Sequence, residues 1–338
     1  MTKKVLVCGA GGFIGNHLVK RLKKEGCWVR GLDIKKPEFS NSIADEFIVC
    51  DLRDLAVCQS YINEPFDEVY QLAADMGGAS YIFTQEHDAD ILFNNSTIDL
   101  NIIRSCKEAR VKKVFYASSA CVYPFYNQLD PQEPKCSEDS AYPAEPDSEY
   151  GWEKLFSERL YISFGKDYNL DVRIGRFHNI YGLECTWKGG REKAPAAICR
   201  KVSENSEEIE IFGDGQQTRS FLYIDDCLEA IKRLMDSENF HGPVNIGSEE
   251  MVTLNQLVNY TLEIASKKLR IKHVSGPLGV RGRNSDNNLI KEQLGWEPKT
   301  DLKTGLQKLY EWVNKQVGSE INQQAVIKES CLGERKNG

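Results

Sequence analysis

The sequence predicts an α/β protein: a doubly wound parallel sheet joined to a smaller, interleaved α/β lobe. Three observations predict it. Short β-rich runs alternate with longer amphipathic stretches through the first half of the chain, as in a parallel sheet covered by helices. A glycine turn, Gly9-Ala-Gly-Gly12-Phe-Ile-Gly15, follows directly on the first of these runs. The alternation then breaks after about Phe177, where loops and turns such as Trp187-Lys-Gly-Gly190 and Gly213-Asp-Gly215 take over.

Taken in order, Val5 to Cys8 is an apolar run that ends at the glycine turn, and Phe13 to Lys24 spaces Ile14, Leu18 and Leu22 four apart, as a helix requires. Trp28 to Asp33 and Glu46 to Asp51 read as the next strands, Leu55 to Tyr61 as a short helix, and Glu68 to Ala73 as the fourth strand. Ile91 to Ala109 is long enough for a helix and leads into the strand Lys113 to Ser118. Tyr150 to Lys166 and Asp171 to Phe177 complete the βαβ rhythm. Further helices are predicted from Ala194 and near Asp225, Leu254 and Leu302. The expected division is residues 1–178 for the nucleotide-binding part, with later segments interleaved, 179–317 mainly for a substrate lobe, and 318–338 for a polar, frayed tail.

A chain of 338 residues, 41% hydrophobic, fills one large or two ordinary domains. A formal charge of −7 leaves no footprint for nucleic acid or an anionic membrane, so any phosphate site must be local. The start, Met-Thr-Lys-Lys-Val-Leu-Val-Cys, is too briefly apolar for a signal peptide, and no later run suits a membrane span; the expected location is the cytoplasm. Eleven cysteines without a Cys-x-x-Cys pair and five dispersed histidines argue for buried thiols rather than a disulfide framework or a metal site.

The glycine turn lets backbone approach a pyrophosphate at a helix N-terminus, so it predicts a dinucleotide site at Gly9, Gly12, Phe13, Ile14 and Gly15. Asp33 lies 18 residues past Gly15, where a carboxylate accepts from both ribose hydroxyls and repels a 2′-phosphate, favouring NAD over NADP. Asp51-Leu52 is placed either to meet the adenine edge or to form a plain turn. Tyr150 and Lys154 are four apart on one helix face, where an ammonium lowers a phenol pKa and prepares it for proton exchange with a substrate hydroxyl, and Ser119 can share that proton. In a chain with 14 tyrosines a Tyr-x-x-x-Lys pair arises about once by chance, so its weight comes from its order after the glycine turn and Ser118-Ser119-Ala-Cys121.

These motifs, with Ala73-Ala74-Asp75, resemble the extended short-chain dehydrogenases/reductases that act on nucleotide sugars. Longer strings are similar to the GDP-mannose 3,5-epimerase family: Ala73-Ala-Asp-Met-Gly-Gly78, Arg176-Phe-His-Asn-Ile-Tyr-Gly182, Thr186-Trp-Lys-Gly-Gly-Arg-Glu-Lys-Ala-Pro195, Gln217-Thr-Arg-Ser-Phe221 and Val280-Arg-Gly-Arg-Asn-Ser-Asp286. The resemblance runs from about Lys4 to Val317 and implies a Rossmann-type domain with tightly held NAD, with Ala73 added to the cofactor site. It implies oxidation of a GDP-sugar at C4 by Tyr150, Lys154 and Ser119, then inversion at C3 and C5 with Cys121 and Lys193 as base and acid. It also implies that Asn179 meets the diphosphate region, Gln217 the sugar, and Arg219 and Arg283 the diphosphate or sugar, while Gly77 lets the sugar approach the backbone. Glu192 either orients the sugar or favours a helix N-terminus. A homodimer through helices of the cofactor domain is the implied assembly; the alternative function is another GDP-sugar epimerase, dehydratase or 4-ketosugar reductase of the same fold.

Overall fold

A computed structural model describes residues 2–334, the last helix by its backbone alone beyond residue 322. The first half contains β1 (Lys4–Cys8), α1 (Phe13–Lys24), β2 (Trp28–Asp33), β3 (Glu46–Val49), α2 (Leu55–Tyr61), β4 (Glu68–Gln71), α3 (Ala79–Ile82), α4 (Asp88–Glu108), β5 (Lys113–Ser119), α5 (Glu149–Tyr168) and β6 (Asp171–Phe177). Then follow β7 (Ile180–Tyr181), α6 (Ala194–Glu204), β8 (Glu208–Phe212), β9 (Thr218–Ser220), β10 (Leu222–Tyr223), α7 (Ile224–Asp236) and β11 (Val244–Ile246). The chain ends through β12 (Met251–Thr253), α8 (Leu254–Ala265), β13 (Arg270–Val274), β14 (Gly282–Arg283), α9 (Asn288–Leu294) and α10 (Leu302–Glu334).

Seven parallel strands form one sheet in the order β11-β6-β5-β4-β1-β2-β3. The order reverses between β1 and β4, and ligands of such sheets enter the crevice outside the strand carboxyl ends at that reversal. Both faces are buried: Leu6 and Cys8 of β1 pack in one core, and Val5 and Val7 in the other. That double burial explains why the strand reads as a continuous apolar run. β3 and β4 stop two residues short of their predicted ends, leaving Asp51, Leu52 and Ala73 in loops at the crevice.

The smaller lobe has its own pairings, β12-β9-β14, β13-β8 and β10-β7. In the parallel β14–β9 pair, Arg283 lies opposite Arg219, which sets two arginines side by side. The polar segment expected to fray from 318 is helical as far as Glu334, because α10 enters it already packed through buried Leu306, Leu309, Val313 and Val317. Residues 335–338 of that segment lie outside the described residues.

Candidate active site

The glycine turn is built for backbone approach. Gly9 has a φ of +83°, and a Cβ at Gly15 would stand 1.9 Å from the Gly9 carbonyl oxygen. Gly15→Ala should therefore destabilise the fold by about 1–3 kcal/mol and loosen the bound nucleotide; urea unfolding and nucleotide retention on gel filtration check this. The N-cap of α1 is Gly12, and no side chain caps the helix, so the start at Phe13, Ile14 and Gly15 presents backbone N–H groups to an anion. Asp33, buried at the end of β2, accepts from the Gly11 N–H at 2.9 Å and the Lys35 N–H at 3.0 Å. Burial raises its carboxyl pKa, although those N–H groups pull it down. Beside it, the Cys50 N–H donates to the Asp33 carbonyl and brings Asp51 and Leu52 to the same edge; Arg53 holds the Asp51 carboxyl below its ordinary range. Ala73 closes the other side, its nitrogen 2.7 Å from where a Gly9 Cβ would sit. An uncapped helix start, a Cβ-free cradle and a carboxylate at the end of β2 fit NAD.

The reactive side chains converge from β5, the turn after it, α5 and the loop before α6. Ser119 ends β5, its Oγ accepting from the Cys121 N–H at 3.2 Å. Ser148 caps α5 by accepting from the Gly151 N–H, and Gly151 lets the helix pack against the Cys121 carbonyl, where a Cβ would be 2.1 Å away. Tyr150 and Lys154 are thereby held on the face turned to Ser119 and Cys121. Tyr150 is 6% exposed and Lys154 2%. The Lys154 ammonium lies 5.6 Å from the Tyr150 ring centroid and donates to the Tyr116 hydroxyl at 3.2 Å.

Lys154 does lower the Tyr150 pKa, as the four-residue spacing implies, but burial outweighs it. Burial pushes the phenol well above its ordinary range, and Lys154 and the Ser119 hydroxyl only partly counter it, while Cys121 and Glu153 add to the rise. Four-residue spacing supplies the neighbouring cation; the depth of the pocket sets the net direction. For Lys154, burial alone would lower the pKa, but Glu153, Tyr150 and Asp99 outweigh it and hold the ammonium charged.

Cys121 lies near two cations. Its Sγ accepts from Arg283 Nη1 at 3.2 Å. Lys193, the N-cap of α6, also lies near Cys121, and burial lowers the lysine pKa. Arg283 also donates to Gln128 Oε1 at 2.6 Å and Asp147 Oδ2 at 2.6 Å. Burial, then the charge of Arg283, bring Arg219 down to about 10. Arg219, Arg283 and Lys193 all lie near Cys121, and the two arginines also lie near Asp147, a grouping of positive charge suited to a diphosphate.

The other predicted substrate residues surround this group less directly. Gly77 is buried, with Tyr81 closely packed on it, and a Cβ at Gly78 would meet the Glu192 carbonyl at 2.3 Å, joining that loop to the one carrying Lys193. Glu192 itself accepts from Arg200 and the Gly190 N–H, so its carboxylate is turned onto its own loop and α6. Asn179 donates to the Ser220 carbonyl and Gln217 to that of Phe212, while the buried Gln217 Oε1 has no partner. His178 is a core histidine: burial lowers its pKa to about 3, and its Nε2 contacts Asn245 Oδ1 at 2.8 Å.

Sequence reasoning missed Asp147 and Gln128, which fix Arg283; Arg191, inside the Thr186–Pro195 string but given no role there, donates to both Asp75 and the Tyr81 hydroxyl. Nothing local marks Asp147 or Gln128; Gln128 and Arg283 are 155 positions apart. Among the described residues no group of His, Cys, Asp or Glu side chains could hold a metal ion, and no helix is long and apolar enough to cross a membrane.

Comparison with known proteins agrees with this geometry. The NAD dependent epimerase/dehydratase family model matches residues 5–247. GDP-mannose 3,5-epimerase of Arabidopsis thaliana is 49% identical over 319 residues, 94% of this chain and 84% of that protein. GDP-mannose 3,5-epimerase 1 of Oryza sativa subsp. indica is 47% identical over 322 residues, with 95% and 84% covered. The crystal structure of UDP-glucose 4-epimerase with UDP-glucose from Thermotoga maritima has a TM-score of 0.82 at 27% identity, covering 93% of this chain and 99% of that one. The chain belongs to the NAD dependent epimerase/dehydratase family.

Proposed function

We propose that this NAD-dependent enzyme inverts GDP-mannose at C3 and C5 through a transient 4-keto sugar, giving GDP-L-galactose and, from inversion at C5 alone, GDP-L-gulose. The observation that supports the reading is the grouping of Cys121 with Ser119, Tyr150 and Lys193, and of Tyr150 with Lys154. Bound NAD supplies a reversible hydride acceptor for C4. Tyr150 takes the C4 hydroxyl proton, with the Ser119 hydroxyl beside it to share that proton and Lys154 providing the compensating charge. The C4 ketone acidifies the hydrogens at C3 and C5, because the carbanion spreads into an enolate. Cys121 removes the proton; its sulfur accepts from Arg283, the contact a thiolate base needs. Lys193 returns a proton from the other face, and burial moves its pKa down toward the working range of an acid. Arg219 and Arg283 meet the diphosphate or sugar, Asn179 the diphosphate region and Gln217 the sugar, with its Oε1 open to a hydroxyl donor. The sugar passes beside Gly77, and Glu192 fixes the Lys193 loop.

The test is incubation of the purified protein with GDP-mannose in deuterium oxide without added cofactor, followed by NMR of the sugar. Deuterium at both C3 and C5, with new GDP-hexose signals, is expected. Folded, NAD-loaded protein that gives no exchange would transfer the assignment to a modified GDP-hexose or GDP-heptose, or to a different 4-keto step.

The reading extends to a homodimer working in the cytoplasm. Phe93 and Leu100 of α4 and Trp152 and Phe156 of α5 are exposed large apolar side chains on the two long helices of the cofactor domain, the face a second copy would cover. The ten cysteines among the described side chains are free, consistent with a reducing compartment. Phe93→Glu combined with Phe156→Glu should convert a dimer into a monomer in sedimentation equilibrium; a wild-type protein already monomeric would refute the assembly.

A further inference from the structure

Behind Tyr150 lies a group of buried charges that the reaction scheme leaves unused. Asp99 of α4 and Glu153 of α5 are each 1% exposed, and the charge of Asp99 bears on the Glu153 carboxyl. Their outer oxygens are satisfied. Asp99 Oδ1 accepts from Gln71 Nε2 at 2.7 Å and the Tyr161 hydroxyl at 3.4 Å, and Glu153 Oε1 accepts from Ser157 at 2.9 Å. Asp99 Oδ2 and Glu153 Oε2 are buried without a donor. Glu153 Oε2 lies 3.7 Å from Lys154 Nζ, an ion contact too long for a hydrogen bond. The groups facing the pair are Lys154, Tyr150, Ser157 and Tyr161 from α5, Gln71 from β4 and Tyr116 from β5, with Cys8 and Cys106 beyond Tyr161. Lys154 is the sole cation among them. Two adjacent carboxylates in so dry a place cannot both ionise against one ammonium, and a proton between them satisfies both orphaned oxygens at once.

We propose that Asp99 and Glu153 share a single proton and act together as a one-charge counterion that keeps Lys154 protonated beneath Tyr150, a positioning pair for the tyrosine that moves the C4 proton. The pair and Lys154 then sum to zero charge, which allows the cluster to be buried. Glu153 contributes through its place beside the catalytic lysine, and Asp99 through the packing of α4 on α5. This rests on the reading of Tyr150 given above, so the experiment has one arm that is independent of turnover.

In the infrared spectrum of the NAD-loaded protein at neutral pH, wild type should show a protonated-carboxyl C=O band that shifts in deuterium oxide. Asp99→Asn and Glu153→Gln should each lose it, since one ionised carboxylate then remains. Absence of the band in wild type, or its survival in either variant, overturns the shared proton whatever the substrate proves to be. The second arm follows C4 oxidation against pH in single turnovers. Each single amide variant retains one negative charge and should keep the alkaline limb in place, whereas the double variant should move it to lower pH by about 1–3 units. A limb unmoved in the double variant, or moved as far by one substitution as by two, overturns the counterion role. Should the double variant not fold, the infrared arm and the single variants still decide.

Discussion

Tyr150→Phe should lower kcat by about 10²–10⁴-fold while NAD stays bound. The ring fills the same buried space, so the substitution removes a hydroxyl and little packing. Lys154 keeps its hydrogen bond to the Tyr116 hydroxyl, and the charge beneath the site is preserved. The loss is therefore specific to moving the C4 hydroxyl proton, and it should appear as absent reduction of bound NAD on mixing with substrate. A variant retaining more than about a tenth of wild-type kcat would remove Tyr150 from that role, since the expected factor is far larger. Because burial raises the phenol pKa, the free enzyme holds Tyr150 protonated at neutral pH, and rates should increase toward alkaline pH as the phenolate forms.

Cys121→Ser separates the two halves of the chemistry. Oxidation at C4 should persist, because Ser119, Tyr150 and Lys154 are untouched, while deuterium entry at C3 and C5 should fall by about 10²–10⁴-fold. Serine keeps an acceptor for Arg283 Nη1, so the Arg283–Asp147–Gln128 arrangement has no reason to collapse. Alanine would strand that buried donor, at a cost of about 1–3 kcal/mol, and would confuse lost base with lost structure. Normal epimerisation by Cys121→Ser would displace the base assignment and leave the oxidation step standing.

Much of this was legible in the chain because its causes are local. The β1 apolar run, the Gly9 to Gly15 turn and the four-residue step from Tyr150 to Lys154 each depend on neighbours a few positions away, and each stands in the structure as read. Strand ends were less legible: β3 and β4 stop early because pairing ends where the crevice opens, which no residue at Asp51 or Ala73 announces. The tail beyond 318 read as frayed because its polar composition hides that α10 arrives there already packed.

The sequence by itself determined the order of the strands and long helices up to Phe177, the glycine turn at a helix start and the candidates for proton transfer, since backbone sterics and helical period act over short distances. Only the tertiary structure decided the electrostatics. The direction of the Tyr150 pKa, the grip of Asp147 and Gln128 on Arg283, the Arg219–Arg283 register and the meeting of Asp99 with Glu153 depend on segments far apart in sequence. The physical reason is that desolvation and Coulomb interactions are set by depth and proximity in space, which the fold alone specifies.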